Sequence, residues 1–163
     1  MVVIGRTGAD HGSNFRAVGS HIEQVIRQTQ TPILIANKTF EEPKSFIMAY
    51  DGRETADNAV NKIIKGGLLN NLICHLVTVQ NKQKDLKENF KRTEALLVES
   101  GFEVKSNFLE GSIFDVLRDY QQINNVDMMV MGALSRSRLT TMFLGSNTLK
   151  MIENTQLPLI VLR

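Results

Sequence analysis

Residues 25–37, VIRQTQTPILIAN, align with residues 151–163, MIENTQLPLIVLR, at an offset of 126 positions. A chain that repeats part of itself is assembled from copies of one supersecondary unit, which constrains the fold more tightly than composition does. At the same offset Gly19-Ser20 falls on Gly145-Ser146, and Gly5 falls on Gly132 after a one-residue shift in the loop. The repeated piece therefore reads strand, glycine-rich loop, helix, strand. Residues 1–37 hold only this closing piece. Residues 45–163 hold it preceded by three further strand–helix steps, and the polar, proline-containing stretch KTFEEPK, residues 38–44, links the two. The chain thus divides into a carboxyl-terminal fragment of a first unit (1–37), a linker (38–44) and a complete unit (45–163).

The complete unit alternates β and α segments. SFIMAY (45–50) stops at the turn pair Asp51-Gly52, and in ETADNAVNKIIKGG the residues Ala56, Ala59, Val60, Ile63 and Ile64 recur at helical spacing before Gly66-Gly67. LICHLVTV (72–79) is a second apolar strand. Leu86, Phe90, Leu96 and Leu97 mark an amphipathic helix between Asp85 and Ser100. FEVKSNFL (102–109) alternates apolar with polar residues, as a half-covered edge strand does. Ser112 can cap a helix carrying Ile113, Val116, Leu117 and Tyr120, and VDMMVMG (126–132) and LPLIVLR (157–163) flank the last helix. Five apolar strands separated by helices predict an α/β fold with a doubly wound parallel sheet and right-handed crossovers.

Charge and cysteine usage narrow the functional classes. A net charge of +2, with Lys and Arg scattered rather than blocked, argues against nucleic acid and a membrane surface as partners. The apolar runs are strand-sized, too short to cross a bilayer, and MVVIG has no basic segment or cleavage site of a secretory signal. A single cysteine, Cys74, excludes an internal disulfide and points to the cytoplasm.

In an open parallel sheet, ligands bind beyond the carboxyl ends of the strands, and the candidate residues cluster there. Asp51 follows the first strand of the unit. Gly132, two residues, Ser135, nine residues and then Gly145-Ser146 span the loop before the last helix. A glycine at a helix start lets backbone N–H groups approach a phosphate, and the helix dipole and the Ser146 hydroxyl add to that anion preference. The same residues also suit a plain strand end and a plain helix cap, with Arg136 and Arg138 as solvated loop charges. Neither a lysine after Gly145 nor a nucleophile elbow is present, and His11 and His21 have no partners at zinc-ligand spacing. These absences point away from an enzyme and from a bound metal. Cys74 reads as an inert buried thiol. Its neighbour His75, on the other face of the strand, reads as packed or partly solvated, and the methionines around residues 128–151 read as adaptable core or interface.

The combination AYDGRETADNAV, CHLVTV, VMGALSRSRLTTMFLGSNT and PLIVLR resembles the universal stress protein family over residues 45–163, and most of all its tandem-repeat branch. The resemblance implies a five-stranded parallel sheet of order 3-2-1-4-5, adenine nucleotide alpha hydrolase-like. It implies an adenine nucleotide, ATP or AMP, with or without Mg, as a regulatory ligand in stress response. Asp51 would then meet the adenosine, Leu76 would line the adenine pocket, and Met131 would present backbone to the base. Gly132, Ser135, Gly145, Ser146 and the amide of Asn147 would surround the phosphates. Nucleotide-binding members carry glycine where this chain has Ser135, whose Cβ restricts close approach of the loop while its hydroxyl offers a donor. The amino-terminal copy has Gly5, Gly8, Gly19 and Ser20, but ten residues separate Gly8 from Gly19, and it lacks a first strand with its Asp. The alternative is a nucleotide-free protein–protein interaction module on the same fold.

Two strands and a helix cannot bury a core, so residues 1–37 need a neighbour. Family units pair through their last strands, which implies that PILIAN (32–37) runs antiparallel to PLIVLR (158–163). The apolar edge at Val2, Val3 and Ile4 would then need another chain, and a homodimer or larger assembly is expected. Truncation of a longer gene, with Met1 an internal start, is the expected origin of the fragment.

Overall fold

A computed structural model of the chain describes residues 1–5, 22, 24–26, 28–37, 39, 41–132 and 146–162, of which residues 146–149 are described by backbone alone. Among the described residues seven strands form one sheet: β1 (Val2–Gly5), β2 (Ile33–Ala36), β3 (Ser45–Ala49), β4 (Ile73–Val79), β5 (Val104–Leu109), β6 (Met128–Gly132) and β7 (Leu159–Leu162). Their spatial order is β1-β2-β7-β6-β3-β4-β5. All neighbours are parallel except β2 and β7, which pair antiparallel with Leu34 opposite Ile160. The expected antiparallel pairing of PILIAN with PLIVLR is therefore present.

Over the described residues the sheet has seven strands and is mixed, rather than five-stranded and parallel; within it the strands of residues 45–163 lie in the order β5-β4-β3-β6-β7, all parallel, which is the expected 3-2-1-4-5 arrangement numbered within that unit. The strands of residues 1–37 do not stand apart but continue the sheet past β7. The reason is physical. The β7 segment Leu159–Leu162 is buried throughout and would otherwise offer a row of unpaired backbone groups along an apolar edge.

Among the described residues, the helices α1 (Glu54–Gly66), α2 (Leu86–Glu99), α3 (Ile113–Asn124) and α4 (Ser146–Asn154) pack on the sheet, together with helical residues between 22 and 28. Helix α1 buries Ala56, Ala59, Val60 and Ile63 and ends at Gly67, whose left-handed φ of 63° and N–H bond to the Ile63 carbonyl close the last turn. In α2 the buried stripe is Leu86, Phe90, Thr93 and Leu97, while Leu96 is exposed, so Thr93 takes a core place that apolar spacing had assigned to Leu96. Ser112 stands at the start of α3 in extended conformation but makes no side-chain capping bond; its carbonyl accepts from Val116 N instead.

Alternation along the strands splits the core in two. On one face Ile33, Ile35, Ile47, Val77, Met129, Met131, Leu159 and Val161 pack with Leu117 and Tyr120 of α3, Met151 and Ile152 of α4 and the helical residues Ile22 and Ile26. On the other, Phe46, Met48, Cys74, Leu76, Met128, Val130, Ile160 and Leu162 pack with α1 and with Phe90 and Leu97 of α2. Met128, Met129, Met131 and Met151 are thus core residues. The edge strand β5 is only partly covered, as its alternating sequence predicts.

The strand registers make the internal repeat exact in space. Val2 pairs with Ile33 as Met129 pairs with Leu159, so Val3 corresponds to Val130, Ile4 to Met131 and Gly5 to Gly132. A local two-fold passing through the Leu34–Ile160 pair relates β1-β2 to β6-β7.

Candidate functional site

The carboxyl ends of β3, β4 and β6 open into a cleft. Ala49, Tyr50 and Asp51 come from the end of β3, Val77 and Val79 from β4, and Met131 and Gly132 from β6. Thr55 and Ala56 of α1, Ile113 and Leu117 of α3, and Asn81 complete its lining. The position follows from topology. The chain leaves β3 towards β4 and leaves β6 towards β7, on the opposite side, so the two crossovers diverge and leave a crevice between the strand ends.

The floor is apolar and the rim polar. Val77, Met131 and Leu117 belong to one core cluster, which gives the cleft a dry base suited to a flat ring. At the rim, Asp51 Oδ1 accepts from Arg53 N at 3.1 Å and Asp51 Oδ2 lies 3.6 Å from Arg53 Nε. This Asx turn fixes the carboxylate while leaving it half-exposed, so its pairing with Arg53 is weak enough to be exchanged for a ligand hydroxyl. Asn81 Nδ2 donates to the Asp51 carbonyl at 3.0 Å and Asn81 Oδ1 accepts from Gln83 N at 2.8 Å, which ties the loop after β4 to the end of β3. Behind the rim, Tyr50 Oη donates to Asp57 Oδ1 at 2.7 Å and Thr78 Oγ1 donates to the Tyr50 carbonyl at 2.5 Å. Burial pushes the Tyr50 hydroxyl up to about 12, so it stays protonated and acts as a strut rather than a base.

Gly132 has a structural reason of its own. A Cβ there would stand 2.6 Å from the Thr55 carbonyl oxygen and 2.9 Å from its carbon. The end of β6 and the first turn of α1 touch backbone to backbone, which only glycine permits. Among the described residues the cleft holds about 90 Å3.

Three of the residues expected at a site meet here: Asp51, Met131 and Gly132. Leu76 does not. It is fully buried on the other face of β4, among Phe46, Met48 and Cys74, because neighbouring strand residues point to opposite faces; Val77 lines the cleft in its place. Ser135 and Gly145 lie outside the described residues, and Ser146 and Asn147 open α4 as backbone. Sequence reasoning missed Val77, Val79, Asn81, Thr55, Ile113 and Leu117. The period of two in CHLVTV could have offered Val77 and Val79 as the alternative face.

Away from the cleft, His75 Nδ1 lies 2.9 Å from Tyr120 Oη, and Asn107 Nδ2 donates to the same hydroxyl at 2.7 Å. Burial lowers the His75 pKa, so the neutral ring shares a hydrogen bond with the Tyr120 hydroxyl in a network joining β4, β5 and α3. Burial pushes the Cys74 thiol up to about 12, so it is an inert core group. Among the described residues, no three His, Cys, Asp or Glu side chains gather to hold a metal ion.

A crevice at the reversal of a parallel sheet, with Asp after the first strand and Gly after the fourth, is the arrangement that the sequence resemblance implied. The model of the universal stress protein family matches residues 76–163, more than half of the chain. The chain belongs to the universal stress protein family. Over its whole length it is 27% identical to the universal stress protein Slr1230 of Synechocystis, of which it covers 58%. A universal stress protein from Archaeoglobus fulgidus shares the fold with a TM-score of 0.69 at 20% identity, over 88% of this chain and 55% of that one. The chain therefore spans little more than half the length of these two universal stress relatives. A universal stress family protein from Arabidopsis thaliana, solved with AMP bound, matches with a TM-score of 0.53 at 14% identity, over 74% of this chain and 91% of that one. Among the described residues no helix is long and apolar enough to cross a membrane.

Proposed function

We propose that this universal stress protein binds an adenine nucleotide, ATP or AMP, as a regulatory ligand in a cytoplasmic stress response, without turning it over. The observation that carries the reading is the convergence of Asp51, Met131 and Gly132 on one cleft at the carboxyl ends of β3 and β6. The apolar floor of Val77 and Met131 suits a base and the fixed Asp51 carboxylate suits ribose hydroxyls. The loop spacing from Gly132 to Gly145-Ser146 suits phosphates. The AMP bound by the Arabidopsis relative supports the choice of ligand class. Within this reading residues 1–37 are the closing fragment of a first unit of a tandem universal stress protein and residues 45–163 the complete second unit, in an assembly with further copies.

A nucleotide-free interaction module is the second reading. One observation favours it: packing against Thr55 accounts for Gly132 without any phosphate. Thermal unfolding with and without millimolar Mg-ATP or AMP decides between them. Ligand in ~100-fold excess over its Kd raises the midpoint of a chain this size by about 5–10 °C. That rise in the wild type, absent in Gly145→Val, is the expected result; no shift with either nucleotide selects the interaction module.

A further inference from the structure

Between α1 and α2 runs a second groove, which shares no lining residue with the cleft. It holds about 400 Å3, room for a small molecule. Asp57, Val60 and Asn61 line it from successive turns of α1, and Arg92, Leu96 and Glu99 from successive turns of α2. Tyr50 sets the level at which the two helices meet. Its hydroxyl donates to Asp57 Oδ1 at 2.7 Å and is also hydrogen-bonded by Thr93, so Asp57 and Arg92 stand together at one end of the groove. Glu99, the last residue of α2, stands two turns further on, about 10 Å along the helix. Val60 and Leu96 lie between them and give the middle of the groove an apolar wall.

The charged groups of this groove do not satisfy one another. Among the described residues no hydrogen bond or ion pair engages the side chains of Asn61, Arg92 or Glu99, and Asp57 Oδ2 has no partner. Asp57 and Arg92 face the same space without pairing. Read along the groove, the pattern is a carboxylate beside a guanidinium, an aliphatic stretch, and a second carboxylate.

We propose that the groove between α1 and α2 is a binding site for a free basic amino acid, lysine or arginine. The α-carboxylate meets Arg92, the α-ammonium meets Asp57, the aliphatic stem lies along Val60 and Leu96, and the side-chain cation meets Glu99. All three ligand charges find the opposite sign in the right order through charge-assisted hydrogen bonds, and the stem is of the kind that covers apolar surface while its charged head stays wet. An aliphatic amino acid would leave Glu99 unmatched, and a diamine would leave Arg92 unmatched, so both are discriminated against. The inference rests on side chains of α1 and α2 alone and is independent of nucleotide binding.

The test is calorimetric titration of the full chain, without nucleotide, with L-lysine, L-arginine, L-norleucine and cadaverine at millimolar concentration. Norleucine lacks the side-chain cation and cadaverine lacks the carboxylate. Expected are saturable binding of lysine or arginine and at least about tenfold weaker binding of the other two. The preference over norleucine should vanish in Glu99→Gln, and the preference over cadaverine should vanish in Arg92→Gln. Both side chains are exposed, so both variants keep the fold, which an unchanged thermal midpoint checks. The proposal is overturned if neither basic amino acid binds saturably, if norleucine or cadaverine binds as tightly as they do, or if either preference survives its substitution. Since no nucleotide is present, failure here leaves the thermal-shift result with nucleotide unaffected, and the reverse.

Discussion

Val130 and Val3 occupy the same place in two copies of one strand, and one is sealed while the other faces water. The strands beside them, β7 and β2, are also copies and pair with each other across the local two-fold; β7 is buried throughout and β2 alternates buried with half-buried residues. The difference between the valines therefore comes from the next neighbours outward. β6 has β3 and α1; β1 ends the sheet. A strand sequence specifies which faces can be apolar, and the elements packed around it decide which faces are dry.

The comparison breaks most readily at the valines. Val130→Asp places a carboxylate without a partner in a dry cluster and is expected to cost more than about 4 kcal/mol, enough to prevent folding of many domains, whereas Val3→Asp is expected to stay within about 0.5 kcal/mol. Urea unfolding of the two variants reads this directly. Equal effects would mean that β1 is covered in solution by something already present. The glycines give the next contrast. Gly132→Ala drives a methyl into the Thr55 backbone and should cost about 1–3 kcal/mol, while Gly5→Ala on the exposed strand should be near neutral. If Gly132→Ala proves harmless, the β6–α1 contact is looser than its 2.6 Å geometry implies.

The smallest effect belongs to His75, on the face of the sheet opposite Val130. Its pKa in the folded protein lies below the ordinary 6.5, chiefly through burial, so below about pH 6.5 the unfolded chain binds a proton that the folded one resists. Stability contributed by neutral His75 is full above that pH and declines as pH falls through it. Unfolding free energy measured between pH 7.5 and 5.5 should therefore drop in the wild type, and the part due to this residue should vanish in His75→Gln. An unchanged slope would place the histidine in contact with water.

Much of the fold was legible in the chain. The period-two and period-3.6 patterns located the strands and helices, Gly67 and Gly101 marked where α1 and α2 stop, and the family resemblance implied the β2–β7 pairing. The site was legible in part. Asp51, Met131 and Gly132 stand at strand ends, where position along the strand is enough to place them at the cleft. Leu76 was misplaced by one residue, because alternation says that Leu76 and Val77 face opposite ways but not which of the two faces looks into the crevice. Asn81 and Thr55 reach the cleft from a loop and a helix turn, through contacts between segments distant in sequence.

By itself, then, the sequence determined the alternation of strands and helices, the internal copy, and the strand-end positions of Asp51 and Gly132, since each depends on local periodicity and turn chemistry. Only the tertiary structure decided that Val77 rather than Leu76 lines the cleft and that Val3 is bare where Val130 is buried. These depend on which elements pack side by side, and burial is a property of that arrangement rather than of any segment alone.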